Sequence, residues 1–304
     1  MKKTWRLVVL ISGLTISTFA QDGPEPKFEL SVSGGWGVLT SFRGGTTHSD
    51  VWSYQYLQSV RENTAITAKV KSSAFVTAAF SYFFGPNLGL QLGAGYIMPK
   101  VTTDGTFNFS YQWTTRSTIY NESAANSKIP WGGGGKSRTV PLFVNVVGKC
   151  RLGMIDLFAT AGPSLYFNSY EANSFMGFGD TSSFTLLIPP YLFEFQDVDA
   201  FKIPARIPRT SWTAFGASFG ARLDCRISPI VAVTVEGRYF LVPKKSLAWQ
   251  WEPGTYDSIF YNNFAGWTYT ADDLASAQAK TAASKVNLSF FSVSLGFKIG
   301  FGSK

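Results

Sequence analysis

The sequence predicts an all-β fold, an eight-stranded antiparallel transmembrane β-barrel with long extracellular loops, and three observations carry that expectation. The first is Phe291-Ser-Val-Ser-Leu-Gly-Phe-Lys-Ile-Gly-Phe301, where large apolar residues fill the odd positions and Ser, Gly or Lys the even ones. Strict period two describes a strand with one apolar face. Its other face, Ser292, Ser294, Gly296, Lys298 and Gly300, is too small and polar to pack between sheets, so the apolar face needs lipid as its solvent. At roughly 3.3 Å per residue the segment is about 36 Å long, and tilted by about 40° it crosses an apolar band of about 25 Å. The second observation is composition: 29 Gly, 27 Phe, 13 Tyr and 9 Trp in 304 residues, with only 15% charged, describe a soluble domain poorly. The third is the spacing of short turns at Gly85-Pro-Asn87, Arg151 to Gly153 and Ile227-Ser-Pro229. Three short turns on one side and long connections on the other give eight strands with both chain ends on the turn side.

The elements follow in order. Lys2, Lys3 and Arg6 precede an apolar run, Leu7 to Leu14, and a stretch ending at Ala20. This reads as a Sec-type signal peptide over residues 1–20, cleaved before Gln21; the run is shorter than the roughly 20 residues that a spanning helix needs. Residues 21–26 read as a short linker and 27–304 as the barrel. The expected strands are Phe28 to Leu39, Ala74 to Phe84, Leu88 to Ile97, Val140 to Cys150, Ile155 to Phe167, Thr213 to Cys225, Ile230 to Leu241 and Phe291 to Phe301. In the first, Phe28, Leu30, Val32, Trp36 and Val38 alternate with Glu29, Ser31, Ser33, Gly35 and Gly37. In the sixth, Phe215, Phe219 and Leu223 alternate with Ser218, Arg222 and Asp224.

That second face decides between lipid outside and lipid-like interior. A soluble lipocalin-like barrel would turn its apolar face inward. Here the opposite face would carry Glu29, Gln91, Asp156, Arg222, Asp224, Glu236, Arg238 and Lys298, which belong inside a narrow lumen where they can pair. The turn at Ile227-Ser-Pro229 is expected to bring Arg222 near Thr234 and diagonal to Glu236, and closure of the first strand on the last to bring Glu29 near Lys298. Glu29, Lys298, Arg222, Glu236, Arg238 and Asp156 are therefore the candidate lumen charge pairs, read as structural compensation rather than a conduction path. Tyr82, Phe83, Phe84, Tyr96, Tyr239 and Phe240 lie near strand ends and read as interfacial girdle residues.

Four long connections, near Thr40 to Ser73, Met98 to Thr139, Asn168 to Trp212 and Val242 to Phe290, are rich in aromatic and uncharged polar residues. The alternation from Thr106 to Trp113 suggests hairpins that continue beyond the membrane. Leu186-Leu-Ile-Pro-Pro-Tyr-Leu-Phe193 is too apolar to stand free in water, and is expected to fold over the barrel mouth or meet a partner. Thr270 before Ala271-Asp-Asp273 and an Ala-rich run reads as the cap of a short helix.

Little catalytic chemistry can be assembled. Trp131-Gly-Gly-Gly-Gly-Lys-Ser137 fails as a P-loop because Pro130 stands where the first Gly is required, and it reads instead as a loop hinge. The single histidine, His48, precedes Ser49 and Asp50, and three sequential side chains cannot make a Ser-His-Asp site. Cys150 and Cys225, both beside short turns, are either a disulfide or two small apolar residues at the rim. With two Cys and one His no tetrahedral metal site is expected, and no cofactor. The net charge of +8 falls to +5 when Lys2, Lys3 and Arg6 leave with the signal peptide. No Lys/Arg run tracks a phosphate backbone, so nucleic acid is not an expected partner; the surplus suits lipid headgroups or lipopolysaccharide phosphates.

Two stretches carry a family likeness: Tyr82-Phe-Phe-Gly-Pro-Asn-Leu-Gly-Leu-Gln-Leu-Gly-Ala-Gly-Tyr96, and the hairpin that opens with Phe215-Gly-Ala-Ser-Phe-Gly-Ala-Arg222 and closes near Tyr239. In them the chain resembles small outer-membrane β-barrel proteins of the OmpA/OmpW-like group. It departs from that group in carrying Gly302-Ser-Lys304 after Phe301, where the insertion signal usually ends on the aromatic residue. The resemblance implies a monomer in the outer membrane of a Gram-negative-type bacterium, with lipid and lipopolysaccharide around it and the barrel-assembly machinery as partner during insertion. The expected role is a non-enzymatic structural or surface-interaction protein whose loops meet an extracellular partner. The alternative is a passive route for small, hydrophobic solutes.

Overall fold

The computed structural model describes residues 26–39, 44–54, 57–114, 119–126, 133–188, 191–252, 255–257, 265–268, 275, 279 and 281–303. The signal peptide, Thr270 and its expected cap lie outside them; Ala275 and Ala279, from the Ala-rich run, are helical. The strands are β1 (Pro26–Leu39), β2 (Gly44–Tyr54), β3 (Leu57–Val70), β4 (Ser73–Phe83), β5 (Leu88–Ile97), β6 (Lys100–Thr114), β7 (Ile119–Asn126), β8 (Gly133–Leu152) and β9 (Ile155–Ile188). They continue with β10 (Tyr191–Arg226), β11 (Val231–Leu241), β12 (Lys245–Leu247), β13 (Gln250–Trp251), β14 (Thr255–Asp257), β15 (Ala265–Thr268), β16 (Ser284–Val286) and β17 (Phe290–Ser303).

Eight of these close a ring in the order β1, β4, β5, β8, β9, β10, β11, β17 and back to β1, every pair antiparallel. The seam runs from Phe28 opposite Phe301 to Leu39 opposite Phe290. Closure removes the unpaired edges that an open sheet would present to hydrocarbon. At the turn end the three short connections fall where the sequence puts them. Gly153 holds a φ of 61°, a conformation that a side chain disfavours.

The wall is apolar outside. Leu90, Leu92, Val144, Val146, Phe219, Val293, Leu295 and Phe297 are each about half exposed or more, while their strand neighbours Gln91, Asn145, Ser218, Ser292 and Ser294 are buried. On β9 the outward face is apolar from Ile155 to Phe167, about 40 Å of strand at roughly 3.3 Å per residue and about 30 Å of height at a tilt of roughly 40°. That is the span of a bilayer core, and the fold is a transmembrane β-barrel. Placing a charge in this belt is costly: Leu92→Arg, at a position 60% exposed in mid-wall, is expected to lower unfolding stability by about 2–4 kcal/mol in lipid, read from urea titration in vesicles, whereas Thr102→Arg, beyond the belt, should change it little.

Two expectations need correction here. Among the described residues, most of the connections assigned to residues 40–73, 98–139 and 168–212 are sheet and not loop. β2 pairs β3, β3 pairs β6, and β6 pairs β7 and the start of β8, so the hairpins suggested by Thr106 to Trp113 are formed. β9 and β10 run for 34 and 36 residues as one hairpin whose tip pairs Leu186 with Phe193 and Ile188 with Tyr191. A register shift between Ile207 and Thr210 brackets Pro208, whose missing N–H cannot serve the ladder. The stretch from Gly133 to Ser137, read as a hinge, is the start of β8, with Gly135 opposite Ala172 and Lys136 opposite Glu171. These segments alternate aromatic with uncharged polar residues, as in Thr106 to Trp113, which resembles loop composition.

Beyond the belt the sheet encloses its own core. Ile66, Ala68, Val101, Tyr170, Ala172, Ile203, Ala205 and Ile207 face inward from the extended strands, and Leu247, Trp249, Trp251, Val286 and Leu288 from the last connection fill the space between them. Residues 245–251 and 284–290 thus act as a built-in stopper at the loop end.

Candidate functional site

The candidate site is the lumen, and its contents are layered along the barrel axis. Alternation in each wall strand turns one residue in two inward. Nearest the turn end, six buried ionisable groups converge from five strands: Glu29 on β1, Lys149 on β8, Asp156 on β9, Arg222 and Asp224 on β10, and Lys298 on β17. The Arg222 guanidinium donates to Glu29 at 3.0 Å and lies 2.9 Å from Asp224 Oδ1. Lys298 Nζ is 2.8 Å from Asp224, 3.2 Å from Glu29 and 3.7 Å from Asp156. Lys149 Nζ stands 3.7 Å from Glu29 and 3.9 Å from Asp156.

Three carboxylates therefore face three cations out of water, which is the condition under which buried charge can be held. Arg151 and Arg226, less buried, close the turn-end mouth, 3.5 and 3.7 Å from Asp156; Arg226 also donates to the Gly153 carbonyl. Phe158 forms an aromatic floor, with the Arg222 guanidinium 4.0 Å from its ring centroid and Lys298 Nζ 5.1 Å away. Between this cluster and the turn at Ser228 to Ile230 lies a void of about 10 Å³, room for about one water molecule.

The next layer is Arg238 on β11. It donates to Glu236 and, at 2.7 Å, to Gln91 Oε1, and its guanidinium lies 4.1 Å from the Phe143 ring centroid. Beside it Ser218 donates to Asn145 Oδ1 at 2.9 Å. Above stands an aromatic layer. Phe240 stacks on Phe290 at 4.6 Å, and Phe75 meets both rings edge-on at 5.6 and 5.5 Å. Phe143 packs over Gly93, where a Cβ would overlap its ring, so the glycine is what admits the phenyl group. The Tyr166 hydroxyl donates to the Ala217 carbonyl at 2.6 Å. Together with the stopper, these layers stack along the lumen axis among the described residues.

Of the residues expected from sequence, Glu29 and Lys298 are brought together across the seam, with Asp156 in the same cluster. Arg222 is placed differently. It stands directly opposite Glu236 rather than Thr234, because Arg226 pairs with Ala232 and five residues lie between them, closed by Ile227 and Ser228 N–H groups on the Val231 carbonyl. Even so, its carboxylates are Glu29 and Asp224, while Glu236 binds Arg238 two residues along its own strand. Gln91 and Asp224 face the lumen as expected, though outside the expected charge pairs, and Lys149 joins them unforeseen; its parity, shared with the buried Val147 and opposite to the exposed Cys150, is the signal for it. Cys150 and Cys225 are free thiols exposed on the outer wall, and β9 separates their strands, so the disulfide alternative is not formed. Of the expected girdle residues, Tyr82, Phe84 and Tyr96 are exposed on the outer wall and Tyr239 is half-buried, whereas two turn inward. Phe83 is buried in a cluster with Val147 and Phe158, and Phe240 is the centre of the aromatic layer. Period two gives opposite faces to neighbours in an aromatic run, and composition cannot say which ring goes out.

No family model matches the chain, and no curated protein matches it. Among solved structures the chain is similar to the outer membrane protease OmpT from Escherichia coli, at 14% identity and a TM-score of 0.39, covering 92% of this chain and 98% of that one. It is also similar to the outer membrane protein OprG from Pseudomonas aeruginosa, at 9% identity and a TM-score of 0.41, covering 91% and 99%. A third is Ail, the attachment invasion locus protein of Yersinia pestis, at 9% identity and a TM-score of 0.31, covering 90% and 99%.

Proposed function

We propose that this protein is a non-enzymatic outer-membrane anchor: a monomeric barrel, its turn end in the periplasm, that holds a long β-sheet extension outside the cell for contact with an extracellular partner. One observation carries this reading. Among the described residues, six paired charges, the Arg238 layer, a cluster of phenyl rings and Trp249 occupy successive levels of the lumen, an arrangement that favours an anchor over a bore for solute. The lengths of β9 and β10, 34 and 36 residues, place more of that hairpin beyond the belt than within it.

Two measurements test the proposal. In planar bilayers the purified protein is expected to give no discrete conductance steps; steps of constant size would replace the anchor reading with the passive-route alternative. An epitope inserted at Pro189-Pro190, between the paired ends of β9 and β10, should be stained by antibody on intact cells. Staining only after permeabilisation would reverse the orientation.

A further inference from the structure

The rim where the apolar belt ends at the loop end carries an uneven charge. Lys71, Lys100, Lys136 and Arg138 are exposed there, and three backbone contacts bring them together. The Lys71 N–H donates to the Lys100 carbonyl at 3.1 Å, and the Ser137 N–H to the Pro99 carbonyl at 3.1 Å. Lys100 and Lys136 are direct cross-strand partners on β6 and β8, an arrangement in which like charges repel. Arg138 follows two residues on from Lys136, on the same face, its guanidinium 6.0 Å from the ring centroid of Tyr96.

Carboxylates do not balance this patch. Among the described residues, Glu171 lies opposite Lys136 and Asp104 is 3.5 Å from Lys69, which leaves the four cations facing one nearby carboxylate. Directly below, on the same outward face, are Tyr96, Met98, Leu142 and Val144, between 40% and 51% exposed. A ligand that satisfies both features is an anion attached to hydrocarbon: its charge meets the cations and its chains continue down the belt. A free anion would use the first feature only.

We propose that Lys71, Lys100, Lys136 and Arg138 form a binding site for the phosphate groups of a phosphorylated glycolipid in the leaflet at the loop end. Phosphate between Lys100 and Lys136 relieves their repulsion, and Arg138 offers a planar fork to a second phosphate oxygen pair. This rests on the reading that the loop end faces the outer leaflet, but its test does not depend on orientation.

The test is native mass spectrometry of the full chain in detergent micelles, titrated with a hexa-acylated glucosamine disaccharide bearing two phosphates and with its dephosphorylated counterpart. Expected is retention of the phosphorylated lipid, with affinity at least tenfold weaker for the dephosphorylated lipid and for Lys100→Gln/Lys136→Gln, and an intermediate loss for Arg138→Gln alone. The Lys244→Gln/Lys245→Gln variant, which removes equal charge beyond β11, should bind as the parent does. Equal binding by the parent and Lys100→Gln/Lys136→Gln, or equal weakening by both double variants, would overturn the site; displacement by millimolar inorganic phosphate would overturn its assignment to lipid. All variants are checked for the heat-dependent shift in gel migration of a folded barrel, and surface staining of intact cells separately reads the orientation.

Discussion

Glu29→Leu is expected to lower the unfolding free energy by about 3–5 kcal/mol, among the largest effects of any single substitution in this protein. Glu29 accepts from Arg222 and Lys298 and lies 3.7 Å from Lys149. Removing its carboxylate leaves those three buried cations with Asp156 and Asp224 alone, and the cost is that of an uncompensated buried charge. Urea titration in micelles, with folded fraction read from unheated gel migration, measures the loss. The double variant Glu29→Leu/Arg222→Met removes one charge of each sign and should recover most of the stability, because a neutral apolar pair often replaces a buried ion pair without penalty. A loss below about 1 kcal/mol for the single variant would mean that the lumen is hydrated enough to screen these charges.

Phe240→Ala acts on the opposite kind of layer with a similar expected cost of about 3–5 kcal/mol. The ring is fully buried and touches Phe75, Phe143, Tyr166 and Phe290. Those four rings come from β4, β8, β9 and β17 and cannot close the space left by a missing phenyl group, since each is fixed by its own wall strand. Phe240→Leu should retain more than half of the stability lost by the alanine variant. Neither is expected to conduct in planar bilayers, because the Arg238 and Glu29 layers still block the axis. Conductance from Phe240→Ala alone would place the lumen's main barrier in the aromatic layer.

The turn positions, the outward rows of β1, β5, β9, β10 and β17, and the inward placement of Glu29, Asp156, Arg222 and Lys298 were legible because each depends only on period two and on residues that break a strand. The extensions were less legible. In β9 beyond Phe167 the outward positions Ser169, Glu171 and Asn173 are polar while Tyr170 and Ala172 turn inward, so the parity of the apolar residues reverses although the backbone pairing continues to Ile188. Lys149 illustrates a different limit: parity points it inward, but nothing local distinguishes a lumen charge from a rim charge.

By itself, then, the order of residues determined that the chain forms a barrel wall with hydrocarbon on one side and buried charge on the other, because alternation is a local property of each strand. Only the closed structure decided which charge meets which. Arg222 finds Glu29 across 193 positions and Arg238 finds Gln91 across 147, contacts that span the lumen between non-adjacent strands. They are set by how the ring closes and staggers, and no pairing of neighbouring strands contains that information.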